Sequence, residues 1–133
     1  MFAFDVDPHD GSLSRRRVFR QFEPRAEGQP LSSYGGRPDG AAVDAEGCYW
    51  SAQYEGGRLL RIAPSGQVLA EVPTPALCPT MPCFGGADLK TLFITTARHG
   101  RSQAELAQYP GAGCVWAMRV EVAGLGVKEL RWG

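Results

Sequence analysis

Asp39 is the residue of this chain whose neighbours best suit chemistry. In Arg37-Pro38-Asp39-Gly40 the proline fixes the approach of the backbone, the glycine permits an unusual turn and the aspartate presents a short, rigid carboxylate. Such a group can take a proton from water or give an oxygen to a hard cation. One carboxylate does not complete a metal site, because calcium takes about six to eight oxygens and magnesium about six. Aspartate before glycine also marks plain turns, so the motif taken alone leaves a structural and a chemical reading open.

The other reactive types are less organised. His99 lies between Arg98 and Arg101 with no serine or cysteine motif to activate, which reads as a surface histidine in a loop. Cys78 and Cys83 lack the two-residue spacing and the second ligand pair of a zinc site, so both read as buried or half-buried thiols. Tyr54-Glu55-Gly56-Gly57 does not stand between a strand and a helix, so it reads as a turn between strands and not as a phosphate-cradling loop.

The elements that must hold Asp39 repeat along the chain. Apolar residues of an alternating run recur at Phe4, Leu60 and Trp116, in two equal steps of 56 residues. Each run is followed by a turn and a second strand, at Val18-Phe19, at Val68 to Val72 and at Val127 to Leu130. Between them lie two copies of a different hairpin, Ala41 to Asp44 turning at Glu46-Gly47 into Cys48 to Ala52, and Cys83 to Gly86 turning at Asp88 into Thr91 to Thr95. Trp50 and Phe93 hold matching places in the two copies.

This order predicts an all-β chain of roughly ten strands, a partial β-propeller of about two and a half four-stranded antiparallel blades. A single domain over 1–133 would comprise the closing hairpin of an incomplete blade at 1–23, a full blade at 35–75 and a second at 80–132, the last carrying a loop at 98–113. A single turn of helix is expected at Glu105-Leu106-Ala107. A β-sandwich also has short strands and frequent turns, but it gives no reason for a recurring opening hairpin with an aromatic in its second strand. In a blade, Trp50, Phe93 and Trp116 would pack between neighbouring blades. If the opening strand is the innermost one, Asp39 stands at the entrance to the central channel.

The 14 lysines and arginines balance the 14 aspartates and glutamates, so no long-range field recruits nucleic acid or an acidic membrane surface. Arg15-Arg16-Arg17 reads as a solvated turn. With no export signal at the N-terminus and four scattered cysteines, the expected location is cytoplasmic, with the cysteines as thiols.

Phe2 to Asp7, Pro38 to Gly47 with Trp50-Ser51-Ala52, Gly56-Gly57-Arg58, Cys83 to Gly86 and Leu92 to Arg98 follow one another along nearly the whole chain. In that order they resemble motifs from the C-terminal part of the gluconolactonase and regucalcin (senescence marker protein) family. The resemblance implies a six-bladed propeller that hydrolyses sugar lactones with one divalent metal, calcium, zinc or magnesium, in its channel. It implies for Asp39 the roles of metal ligand and of base toward the attacking water. The family's other ligands, a glutamate near the N-terminus and an asparagine near the middle, have no counterpart here and would lie upstream of Met1. The expectation is therefore a truncated relative of a metal-dependent lactonase with an incomplete site. The alternative is a non-catalytic module that binds a partner or associates with itself, as a homo-oligomer, through its open blade faces.

Overall fold

The computed structural model describes residues 1–126. Nine strands fall into three antiparallel sheets in chain order. β1 (Phe2–Val6) pairs with β2 (Leu13–Val18), and after a short 3-10 turn at Leu31–Ser33 a four-stranded meander follows: β3 (Arg37–Val43), β4 (Tyr49–Tyr54), β5 (Arg58–Ile62) and β6 (Val68–Pro73). The third sheet comprises β7 (Pro79–Gly85), β8 (Thr91–Thr96) and β9 (Val115–Arg119), with helix α1 (Gln103–Gln108) between the last two. The expected strand at Val127 to Leu130 lies outside the described residues.

The second and third sheets meet through β3, β4 and β7, so that strands early in each meander lie together while the later ones lead away. This is how successive propeller blades converge on an axis, and the chain is an all-β partial propeller. The core fills the seam. Trp50 and Ala52 alternate on β4 and share a face with Leu59, while Phe84, Leu92 and Ile94 face them from the third sheet. Trp50 and Phe84 meet edge to face, 6.2 Å between ring centroids, a geometry that adds about 0.5–1.5 kcal/mol to the burial of the two rings. Residues 123–125 cross back to the second sheet, with the Ala45 amide donating to the Ala123 carbonyl and the Leu125 amide to the Val43 carbonyl. Gly124 makes this crossing possible, because a Cβ there would lie 2.0 Å from the Phe84 ring.

Four details differ from expectation. Trp50 is buried and Trp116 packs on the same core, but Phe93 is 41% exposed. Its strand position matches that of Trp50, and among the described residues no sheet lies over its face. Cys83 is exposed for the same reason: it pairs with Phe93 on that face. Arg15-Arg16-Arg17 lies within β2 and not in a turn, because Asp5 on β1 pairs with Arg15 and Arg17 across the ladder. The helix in the 98–113 loop is longer than the turn read at residues 105–107. Ser102 caps it by accepting from the Glu105 amide. No helix among the described residues is long and apolar enough to cross a membrane.

Candidate functional site

The segment that bears Asp39 departs from the ladder. Pro38 pairs with Gln53 and Ala41 with Ser51, so Asp39 and Gly40 together stand opposite the single residue Ala52. Two residues against one is a β-bulge, which turns a side chain out of the regular alternation. Gly40 sits at the seam, where a Cβ would be 2.6 Å from the Met81 thioether and from the Thr80 carbonyl of β7. The bulge is thereby wedged against the following blade. Asp39 beside it is exposed, and no hydrogen bond or ion pair among the described residues engages its carboxylate.

Behind the bulge Gln53 is fully buried, its amide nitrogen donating to the Ser51 hydroxyl at 2.9 Å and its carbonyl oxygen without a partner among the described residues. Around the same end of the blade runs a charged cluster. Glu55 occupies the turn between β4 and β5 with a left-handed backbone, φ 62°. Its carboxylate pairs with Arg37, two residues before Asp39, and accepts from Arg101 at 2.8 Å. Arg101 also forks onto both oxygens of Glu105, at 2.7 and 2.6 Å. The Arg37 guanidinium lies 4.4 Å from the centre of the Tyr54 ring, and that of Arg101 5.9 Å. Burial alone would raise the Glu55 carboxyl, but hydrogen bonds from Arg101 and Arg37 outweigh it and hold the group below its ordinary value.

These charges satisfy one another, so the cluster is suited to fastening and not to proton transfer: it ties the strand of Asp39 to the loop that follows β8. Sequence reasoning missed it, because Glu55 and Arg101 stand far apart in the chain. The Arg101 to Glu105 spacing and the Ser102 to Glu105 cap were the signals on offer. His99 is exposed and takes no part. Among the described residues no three His, Cys, Asp or Glu side chains stand together as a metal would require. Asp39 is a lone carboxylate, and the described residues do not by themselves fit a divalent cation.

The model of the SMP-30/Gluconolactonase/LRE-like region matches residues 1–98. A 6-deoxy-6-sulfogluconolactonase of Pseudomonas putida is 51% identical over 124 residues, covering 93% of this chain and 40% of that protein. Regucalcin of Danio rerio is 42% identical over 129 residues, covering 96% of this chain and 39% of the relative. Among solved structures, regucalcin of Agrobacterium tumefaciens, described as a calcium-binding protein, superposes with a TM-score of 0.77 at 27% identity, over 93% of this chain and 39% of the other. A luciferin-regenerating enzyme superposes with a TM-score of 0.69 at 30% identity, over 97% of this chain and 39% of that structure. The chain thus spans about two fifths of the length of the relatives it matches.

Proposed function

The chain belongs to the SMP-30/gluconolactonase/LRE-like family, and from that membership we propose that it is part of a lactone-hydrolysing propeller in which Asp39 acts on water. The observation that carries this reading is the Asp39 carboxylate itself, turned out by a bulge at the blade seam and left without a partner among the described residues. The buried carboxylate of Asp44 and the partly buried one of Glu55 are by contrast consumed by arginines.

In the proposed reaction Asp39 takes a proton from water as the water oxygen bonds to the lactone carbonyl carbon. The ring carbon–oxygen bond then breaks, and the proton passes from Asp39 to the departing ring oxygen. The product is the open hydroxy acid. The substrate class is a sugar lactone, in keeping with the sulfogluconolactone named for the Pseudomonas putida relative. A divalent cation, calcium, zinc or magnesium, would find in Asp39 one oxygen ligand and needs others from beyond the described residues. A cytoplasmic setting suits four cysteines that all remain free thiols.

The test is hydrolysis of glucono-1,5-lactone followed by acid release in a pH-stat, with and without added calcium or zinc. With one of the metal's ligands among its described residues, the chain is expected to exceed the spontaneous rate only slightly, and Asp39→Asn to remove that excess. Equal rates for the two proteins, with both folded, would remove Asp39 from the chemistry.

A further inference from the structure

The bulge that presents Asp39 has a counterpart on the next sheet. On β3 and β4, Pro38 pairs with Gln53, Ala41 with Ser51 and Ala42 with Trp50; on β7 and β8, Pro79 pairs with Thr96, Pro82 with Ile94 and Cys83 with Phe93. With Trp50 and Phe93 in matching places, Thr80 holds in the third sheet the place that Asp39 holds in the second, and each follows a proline. The ladder slips there as well: between Pro79 and Met81 the register shifts, and Thr80 is the extra residue of a bulge. The two bulges touch, because β3 lies against β7 and a Cβ on Gly40 would come within 2.6 Å of the Thr80 carbonyl.

The chemistry left to Thr80 follows from counting hydrogens. Its Oγ1 lies 2.7 Å from the Thr95 Oγ1, which in turn lies 3.3 Å from the Met81 carbonyl oxygen. A carbonyl oxygen only accepts and a hydroxyl has one hydrogen, so both contacts are hydrogen bonds only if Thr95 donates to Met81 and Thr80 donates to Thr95. The Thr80 oxygen then has no hydrogen to give and is left to accept. Thr95 stands where the second sheet has Ala52, so no such hydroxyl meets Asp39. The touching bulges thus carry two acceptors of different kinds: a carboxylate that can take a proton, and a neutral hydroxyl oxygen that near pH 7 can only bind.

We infer that Thr80 is a specificity-determining residue of the site of Asp39, accepting a hydrogen bond from a hydroxyl group on the lactone ring; this rests on the lactonase reading of that site. The carbonyl and ring oxygens of a lactone are themselves acceptors and cannot pair with the Thr80 oxygen. A sugar lactone adds hydroxyl donors on its ring carbons, and these can. Thr80 therefore distinguishes a sugar lactone from a plain one, while Asp39 beside it acts on water. A site built to pair with a substrate hydroxyl disfavours an analogue that lacks it, because the acceptor is then left unmet.

Amide NMR shifts of the isotope-labelled chain test this without relying on turnover, and a dispersed spectrum confirms that each variant is folded. The probes are glucono-1,5-lactam, whose ring N–H replaces the lactone ring oxygen so that the ring stays closed, and δ-valerolactam, the same ring without hydroxyl groups. Glucono-1,5-lactam is expected to shift the amides of Gly40, Thr80 and Met81, with a Kd that rises about threefold to tenfold in Thr80→Val, the loss of one neutral hydrogen bond. Thr80→Ser keeps the acceptor and should bind within about twofold of the wild type. δ-Valerolactam should bind the wild type more weakly than glucono-1,5-lactam does, and Thr80→Val no differently from the wild type. If Thr80→Val does not fold, the wild type's preference between the two lactams decides. An unchanged Kd in Thr80→Val, a Thr80→Ser that binds no better than Thr80→Val, equal affinity for the two lactams, or no shift of these amides in the wild type would each overturn the inference. Lactam binding at Thr80 without hydrolysis above the spontaneous rate would instead overturn the lactonase reading alone, so the two failures can be told apart.

Discussion

Asp44 shows how one side chain can hold a turn. It has no exposed surface, and its carboxylate accepts from the Glu46 and Cys48 amides, from the Trp50 indole at 3.0 Å and from Arg61 at 2.7 Å. Burial alone would raise its carboxyl, yet Arg61, Trp50 and the Cys48 amide together hold it below its ordinary value. Asp44→Ala leaves Arg61 short of a partner and two turn amides unmet, so urea denaturation should show a loss of about 3–5 kcal/mol. A group depressed in the folded state stabilises it above the unfolded pKa, and that contribution fades as pH falls through the lower folded value. Glu55 is depressed in the same way. Stability should therefore be flat near neutrality and fall as pH drops below about 4, and Asp44→Ala should show a shallower acid slope than the wild type. Parallel slopes would exclude Asp44 from the acid sensitivity. The sequence displayed Asp44, Glu46 and Gly47 as a turn, but not the carboxylate's role. Four convergent donors, two of them from the following strands β4 and β5, are a property of packing and not of spacing.

The strands and hairpins were legible because they obey period-two alternation and glycine-marked turns, and the step of 56 residues carried the repeat. Which face of the last sheet lies open was not legible: Phe93 matches Trp50 in register, and only the neighbouring sheet decides whether such a ring is buried. The bulge at Asp39 was hidden for a related reason, since Pro38-Asp39-Gly40 fits an ordinary turn until its pairing with Gln53 and Ser51 is known. Its consequence can be tested through Gly40. A side chain at that position meets the Met81 thioether, which can move, and the Thr80 carbonyl, which as backbone yields less. Gly40→Ala should therefore open the seam between β3 and β7 and destabilise the chain by about 1–3 kcal/mol, read from urea denaturation. Adding Met81→Ala should recover part of that loss and not all of it. Full recovery would show that the methionine alone makes the contact, and no loss at all would show that the blades do not approach as closely as the bulge requires.

Across the whole molecule the burial is uneven, and that unevenness predicts how the fold comes apart. β4 and β5 lie at the centre of the four-stranded sheet, with Leu59 and Ile62 fully buried, whereas every residue of β2 is exposed. The hairpin is joined to the blade mainly at its base, where Phe19 meets Tyr49 edge to face at 5.9 Å and Arg20 donates to the Gly66 carbonyl at 2.8 Å. Local opening free energy follows buried contact, so amide hydrogens of β1 and β2 should exchange orders of magnitude faster than those of β4 and β5, whose protection should approach that of global unfolding. Exchange read by mass spectrometry tests this. Uniform protection across the three sheets would mean that the described residues unfold as one cooperative unit despite their uneven core.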